Sequence, residues 1–580
     1  MATPQLLAAG GLDYIVYDYL AEITMSVMAR AKAKDPNAGF ATDFITAVLQ
    51  PNLSAIADGG VKIISNAGGI NPEACANATR NAVAAAGLDL KVAIITGDDL
   101  MARKDEVASE APKEMFTGSE FPAAEKIASI NAYIGAFPIA EALAQGADIV
   151  ITGRCVDSAV TLGALIHEFG WRTDDWDLLA SGSLAGHILE CGPQATGGNF
   201  TDWEDAADIT NIGYPIAEIR ADGSFLITKP EGTGGVVNIG TVAEQMLYEI
   251  GDPQAYILPD VICDFSGIEI AAAGKNRVGV SPAKGRPAPD TYKTSLTWQD
   301  GFRSGLTLSF YGFDAGKKAK KAADAIFDRA RNTFRKFNAG DFTETSVEIL
   351  GAESQYGDYG EADGARETVL KLAAKHPDMM GAGILLKEAA GMGLAAPPGL
   401  SNFAGGRPKP SPVVRLFSYL TPKDKIDISI DVEGTKIGFK DTAGAAFDAG
   451  DIERPAPPLA GGDAKVDVPL IKLAWGRSGD KGDKANVGII ARRPEFLPYI
   501  WAALDEITVA KRFAHFIEGG AEQVERFYLP GPNAINFLID RVLGGGGVAS
   551  IRNDPQGKGY AQILLACPIP VSSEIAKAVS

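Results

Sequence analysis

In residues 1–170, short apolar runs alternate with stretches of helical periodicity, and each run ends on a polar or glycine-rich turn. Residues 12–17 lead to Asp18 and a predicted helix over 22–33. Residues 61–65 lead to Asn66-Ala67-Gly68-Gly69-Ile70-Asn71-Pro72 and an alanine-rich helix reaching 86. In that turn Asn71 is placed to cap the helix, and Pro72 suits its first position. Residues 92–96 lead to Gly97-Asp98-Asp99. Residues 147–152 lead to Gly153-Arg154-Cys155-Val156-Asp157 and a helix reaching 169, with Gly170 as its C-terminal cap. Strands alternating with helices predict a mainly parallel sheet, and such sheets bind ligands at the carboxyl ends of their strands. One sheet edge is therefore expected to collect Asp18, Asn66, Asp98, Arg154 and Asp157.

The pattern changes downstream. Residues 292–298 and 306–311 read as an antiparallel pair across Asp300-Gly301, followed by a charged helix over 317–337 and a strand near 346–350. Residues 391–410, rich in Gly, Pro and Ala, read as a surface loop. A proline- and glycine-rich linker over 449–468 marks the clearest boundary. Beyond it, strands are expected at 469–475, 487–492, 534–538 and 562–566, with helices at 498–504 and 509–515, a small ferredoxin-like α+β sandwich. The expected fold is a large, mainly parallel α/β domain with an α+β portion (1–450), then the ferredoxin-like domain (466–580). A chain of 580 residues exceeds what one core usually serves, which agrees with this division.

Charge narrows the partners. A formal net charge of −19 repels phosphate backbones and anionic lipid, so neither nucleic acid nor a membrane surface is expected as a partner. An anionic ligand needs a local cluster of cations against that field. Five scattered cysteines without a CxxC pair read as reduced thiols, and four dispersed histidines do not make a histidine metal site. No metal or cofactor is expected. No apolar stretch is long enough to span a bilayer, and the first residues lack signal-peptide features, so a cytoplasmic location is expected.

Several segments carry candidate chemistry, each with a bland alternative. Arg154 can clamp a carboxylate or phosphate, or it can merely pair with a capping Asp157. His187, Glu190 and Cys191 share one helical face at i, i+3 and i+4, which suits acid–base work, thiolate formation or a metal; alternatively the helix simply ends at Gly192. Lys229 with Gly234 and Gly235 precedes a helix over 242–250 and suits an anion-binding turn, without a nucleotide-loop pattern. Asp18 and Glu22, one helical turn apart, are paired carboxylates or helix-dipole partners. The run Gly476-Arg477-Ser478-Gly479-Asp480-Lys481-Gly482-Asp483, continuing to Asn486, reads as a loop between two strands and is the densest cationic cluster. It is expected to face the turns of the large domain.

These same segments, in this order, resemble the AtuA (acyclic terpene utilisation) family: Asp18-Tyr19-Leu20-Ala21-Glu22, Asn66-Ala67-Gly68-Gly69, Gly97-Asp98-Asp99, Thr152-Gly153-Arg154 with Asp157, Gly186-His187 with Glu190-Cys191, Thr233-Gly234-Gly235, and the 476–486 run. The resemblance implies a large AtuA domain and an AtuA-like ferredoxin-fold domain. It also implies an extra strand and a glycine- and aspartate-containing loop ahead of residues 5–19, and Met1 stands just after that element. The function it implies is breakdown of acyclic terpenes and branched acids. The expected enzyme acts on a carboxylated acyl-CoA by hydration, dehydration or carbon–carbon cleavage. His187, Asp157, Glu190 and Cys191 are the catalytic candidates. Asp18, Asn66, Asn71, Asp98, Arg154, Lys229, Gly234, Gly235, Arg477, Ser478, Asp480, Lys481 and Asn486 are the binding candidates. A homo-oligomer is expected. The alternatives are a non-catalytic assembly subunit associated with an acyl-CoA carboxylase, and a metal-dependent hydrolase using His187, Glu190 and Cys191.

Overall fold

Five short strands frame the first part of the chain: β1 (Tyr14–Tyr17), β2 (Lys62–Ser65), β3 (Val92–Thr96), β4 (Ile127–Ala132) and β5 (Ile149–Thr152). In the computed structural model, which describes residues 2–362, 364–403, 406, 408–459 and 461–579 except the side chains of Glu22 and Ile23, β1, β2, β5 and β3 lie side by side in that order. All three pairings are parallel. Antiparallel strands Ile428–Val432 and Thr435–Phe439 extend the sheet beyond β3. Alternation along each strand sends neighbouring residues to opposite cores. Ile63, Ile149 and Ile151 pack with helices Gln50–Gly59 and Pro72–Ala85, whereas Ile64, Val150 and Ile95 pack with Phe137–Ala144, Ala159–Phe169 and Trp176–Glu190. The expected parallel sheet and its helices are present, including the Gly170 cap at φ 64°.

The middle portion corrects one expectation. Residues 291–311 are one continuous strand, Thr291–Tyr311, not a hairpin. It pairs with Ser411–Pro422, Glu367–His376 and β4. Asp300-Gly301 forms a bulge: the register with Ser411–Pro422 breaks between Gln299 and Phe302, and Gly301 takes φ 73°. Helix Ala315–Phe337 packs an alanine- and phenylalanine-lined face on this sheet.

A buried ionic knot ties this sheet to the parallel one. Lys423 Nζ lies 3.2 Å from Asp441 Oδ2 and donates to Pro259 O at 2.7 Å, and Tyr292 Oη donates to Asp441 Oδ2 at 2.5 Å. The Lys423 and Asp441 side chains are only 4% and 7% exposed. Beside them, Asp260 accepts the Ala136 N–H at 2.9 Å, at the start of helix Phe137–Ala144.

The small domain is a four-stranded antiparallel sheet in the order Ala474–Lys481, Lys484–Ala491, Ala534–Ile539, Val524–Leu529, with helices Leu497–Ala503, Glu506–Arg512 and Tyr560–Leu565. Two expectations are corrected here. Residues 562–565 belong to the helix Tyr560–Leu565, and Val524–Leu529 is the fourth strand. The glycine- and charge-rich run over 476–486 is itself a hairpin, turning at Gly482 with φ 68°.

The domains meet over a broad seam. Arg492 donates to both oxygens of Asp202, at 2.7 and 2.5 Å, and Trp475 Nε1 joins them at 2.7 Å. Thr201 bonds Gly476, Arg303 Nη1 donates to Val548 O and Ser550 O, and Glu348 accepts from Asn553 N.

Candidate functional site

The carboxyl ends of β1, β2 and β5 meet as a set of interlocked turns. Asp18 Oδ1 accepts from Asn66 Nδ2 at 2.5 Å, and Asn66 Oδ1 accepts from Tyr19 N at 2.7 Å. After β5, Arg154 N donates to Asp98 Oδ2 at 2.8 Å, and Asn131 Nδ2 donates to the same oxygen. Gly153 is required there, because a Cβ would sit 2.2 Å from Asp98 Oδ1. The Arg154 guanidinium, 4% exposed, stacks 4.0 Å over Tyr133 and donates to Asp157 Oδ1 at 2.6 Å. Asp98 and Asn66 thus position their neighbours, and Arg154 and Asp157 form an ion pair beside Asp18.

Helix Trp176–Glu190 adds the acid–base groups. Gly186 lets it press against the Asp157 turn, since a Cβ would lie 2.8 Å from Ser158 O. His187 is 1% exposed; Glu190 Oε1 lies 2.9 Å from its Nδ1, yet neither ring nitrogen has a hydrogen-bond partner of good geometry. The Tyr256 ring stands 5.8 Å from the His187 ring.

The small domain closes the other side. Helix Ile239–Leu247, capped by Asn238, runs into a turn at Glu249, which takes the left-handed φ 58°. Asn486 holds that conformation by accepting from Glu249 N at 2.9 Å and donating to Leu247 O at 2.6 Å. Asn536 donates to Ile250 O and Gly251 O. Gly479 and Gly488 let the hairpin lie directly on this bend: a Cβ would fall 2.4 Å from Tyr248 Cε2 at the first and 2.7 Å from Leu247 Cβ at the second. The hairpin carries Lys481 to 5.3 Å from the Tyr256 ring centre. The 476–486 run does face the large domain, as strands instead of a loop. A cavity of about 520 Å³ along β1 reaches Asp18 and Glu190 and is lined largely by Tyr14, Tyr17, Tyr19, Leu165, Phe169 and Ile216.

Enclosure sets the protonation states. Burial, then the Asp157 charge, pushes the carboxyls of Asp18 and Glu190 well above the usual range. Burial and the Asp480 charge do the same to Glu249. Burial and then Lys481 hold His187 down at about 4, so its imidazole is neutral at pH 7. Burial, then Glu190, raises the Cys191 thiol, and burial pushes Cys155 up to about 12; neither is a ready thiolate. The raised carboxyls make the folded chain bind more protons than the unfolded chain and outnumber His187, whose depression acts the other way, so stability falls as pH rises above the ordinary carboxyl pKa. Asp98 and Glu244, both pushed up to about 7 mainly by burial, place part of this loss below neutrality. The ligand-free protein is expected to melt at a higher temperature at pH 5.5 than at pH 8, by calorimetry in matched salt. Equal or reversed melting temperatures contradict these protonation states.

The other expected site residues lie elsewhere or serve the scaffold. Asn71 Nδ2 donates to Pro36 O and Ala38 O, pinning a loop. Lys229 is spent on Thr233 O, while Gly234 and Gly235 pack against Asp208 O and Thr196 O. Ser478 bonds Gly557 O and Ala561 N inside the small domain. The Glu22 side chain lies outside the described residues. Among the described residues, no three His, Cys, Asp or Glu side chains are grouped to hold a metal. Sequence reasoning missed Tyr133, Glu249 and Tyr256. Only Glu249, an acid at the end of an apolar helix, left a signal.

No helix of the described residues is long and apolar enough to cross a membrane. No curated protein and no solved structure matches the chain. Residues 468–570 match the AtuA ferredoxin-like domain, and residues 1–432 match the model of the acyclic terpene utilisation family protein AtuA, which spans the sheet, the turns and helix Trp176–Glu190. The chain belongs to the AtuA family.

Proposed function

We propose that this protein is an acid–base enzyme in the breakdown of acyclic terpenes or related branched acids, adding water to or removing it from a branched acyl-CoA thioester. The observation that carries this reading is the convergence of Asp18 and Glu190, both held above the ordinary carboxyl range, on a cavity lined by apolar side chains. Such a pair supplies an acid at neutral pH and, once ionised, a stronger base than a free carboxylate. In the dehydration direction, Glu190 takes the proton from the carbon next to the thioester carbonyl. Asp18 gives its proton to the departing hydroxyl, which leaves as water. Arg154 and Lys481 offset the negative charge that grows on the carbonyl oxygen. With its pKa held at about 4, the His187 imidazole is a poor base and is assigned no proton in this reaction.

The test is incubation of the purified protein with branched enoyl- and 3-hydroxyacyl-CoA thioesters in ²H₂O, followed by mass spectrometry. Gain or loss of water, or deuterium at the carbon next to the carbonyl, is the expected result. A panel in which no thioester changes mass or exchanges hydrogen overturns the reading.

A further inference from the structure

One helix reverses the sign of the chain. Ala315–Phe337 has eight Lys or Arg among its 23 residues and two Asp, a surplus of six positive charges in a protein whose net charge is −19. Four of these cations, Lys317, Lys318, Lys320 and Lys321, stand in its first two turns, and the first turn holds no acid. Lysine there opposes the helix dipole, so these residues cost helix stability instead of adding to it. Neighbouring acids offset them only in part. Lys317 pairs with Asp314 at 3.1 Å, Lys320 with Asp324 at 2.5 Å, Arg331 with Asp341 at 3.1 Å and Arg329 with Glu388 at 2.9 Å. Lys318 donates to Tyr311 O and Arg335 to Asn332 Oδ1, neither of them an acid.

Exposed apolar side chains flank the same helix. Phe313, 82% exposed, stands just before it, and Tyr311 N donates to Gly399 O, which joins that end to the segment carrying the almost fully exposed Leu394 and Phe403. Phe337, also exposed, is the last helical residue, and His376, stacked on Phe334, leads to the exposed Met379 and Met380 at that end. Single exposed apolar side chains are ordinary, but six gathered at the two ends of one cationic helix are not. A helix of this length runs roughly 35 Å, several times the ~8 Å over which charge is felt at physiological ionic strength. A surface that approaches this face therefore senses the cations and not the acidic remainder of the chain. A nucleic-acid backbone would meet the lysines and leave the apolar side chains in water. An anionic lipid surface meets both, with headgroup phosphates against the lysines and the apolar side chains at the acyl boundary.

We propose that the outer face of helix Ala315–Phe337 is a docking surface for anionic phospholipid membranes, which holds the protein reversibly on a bilayer through Lys317, Lys320, Lys321 and Phe313. The net charge of the whole chain, which led to the opposite expectation, hides this face. The surface does not depend on the acid–base chemistry of the cleft.

The experiment sediments the full chain with vesicles of phosphatidylcholine alone and of phosphatidylcholine mixed with phosphatidylglycerol. Wild type is expected to bind the anionic vesicles at least tenfold more tightly than the neutral ones, and to be released by salt. The triple variant Lys317→Glu, Lys320→Glu, Lys321→Glu is expected to lose that binding and stay folded, since the pairs it breaks are exposed and acids suit the first turns of a helix. Reversing three exposed cations on other elements, by Arg172→Glu, Lys284→Glu and Lys465→Glu, is expected to leave binding within twofold of wild type. Phe313→Ala is expected to weaken binding severalfold while the salt dependence remains, and it carries the test if thermal melting shows the lysine variant unfolded. No preference for anionic vesicles overturns the proposal, as does an equal loss in the two charge-reversed variants. Pelleting without vesicles assigns the face to self-association, and lysine-dependent binding of duplex DNA without vesicle binding assigns it to nucleic acid; either result overturns it.

Discussion

Glu190→Gln lowers kcat for the acyl-CoA reaction by roughly 10²–10⁴-fold, the range spanned by a positioned acid or base. The amide keeps the shape of the side chain and removes the transferable proton. It also removes a carboxyl that burial and Asp157 already disfavour as an anion, so the melting temperature holds or rises. A loss of rate without loss of stability separates a chemical role from a packing role. Deuterium exchange next to the thioester carbonyl should fall in parallel with turnover, because Glu190 is the group assigned to that proton. A variant keeping more than half of wild-type turnover would remove Glu190 from the chemistry.

Lys423→Met destabilises the protein by about 3–5 kcal/mol, the cost of leaving a buried partner charge uncompensated. The partner is Asp441, only 7% exposed, with Asp260 adjoining and already pushed up to about 7 by burial and Asp441. The damage is not local. Asp260 fixes Ala136 N, and the chain just before it bonds the Arg154 turn through Ile134 and Val156. Substrate binding therefore weakens along with stability. Lys423→Met combined with Asp441→Asn should recover much of the loss, since the pair can be replaced more cheaply than broken. Denaturant melts of both variants decide this, and a single variant as stable as wild type would contradict the knot's assigned role.

The parallel sheet was legible because its strands are short, apolar and separated by capped helices, and the turns carrying Asp18, Asn66, Asp98 and Arg154 follow from strand direction alone. What misled the reading was glycine whose purpose lies elsewhere in space. Gly301 bends one long strand instead of reversing it. Gly479 is there because Tyr248, far away in sequence, presses on the hairpin, so a strand resembled a loop. The apolar residues 562–566 were too few for periodicity to distinguish helix from strand. In the site, His187, Glu190 and Arg154 announced themselves by spacing and turn position. Tyr256 did not, and Glu249 gave only its place after an apolar helix, because its relevance comes from a left-handed bend held by Asn486 of the other domain.

That bend has a consequence for traffic through the site. The hairpin is fastened over it by Asn486, Asn536 and two glycine contacts, so parting the domains would release the Glu249 bend and withdraw Lys481 from the Tyr256 ring. On the acid–base reading proposed above, the route to Asp18 and Glu190 is the cavity beside β1, lined by Tyr14 and Tyr19. The small domain buttresses the Glu249 bend, whereas the cavity that reaches Asp18 and Glu190 is lined by residues of the large domain.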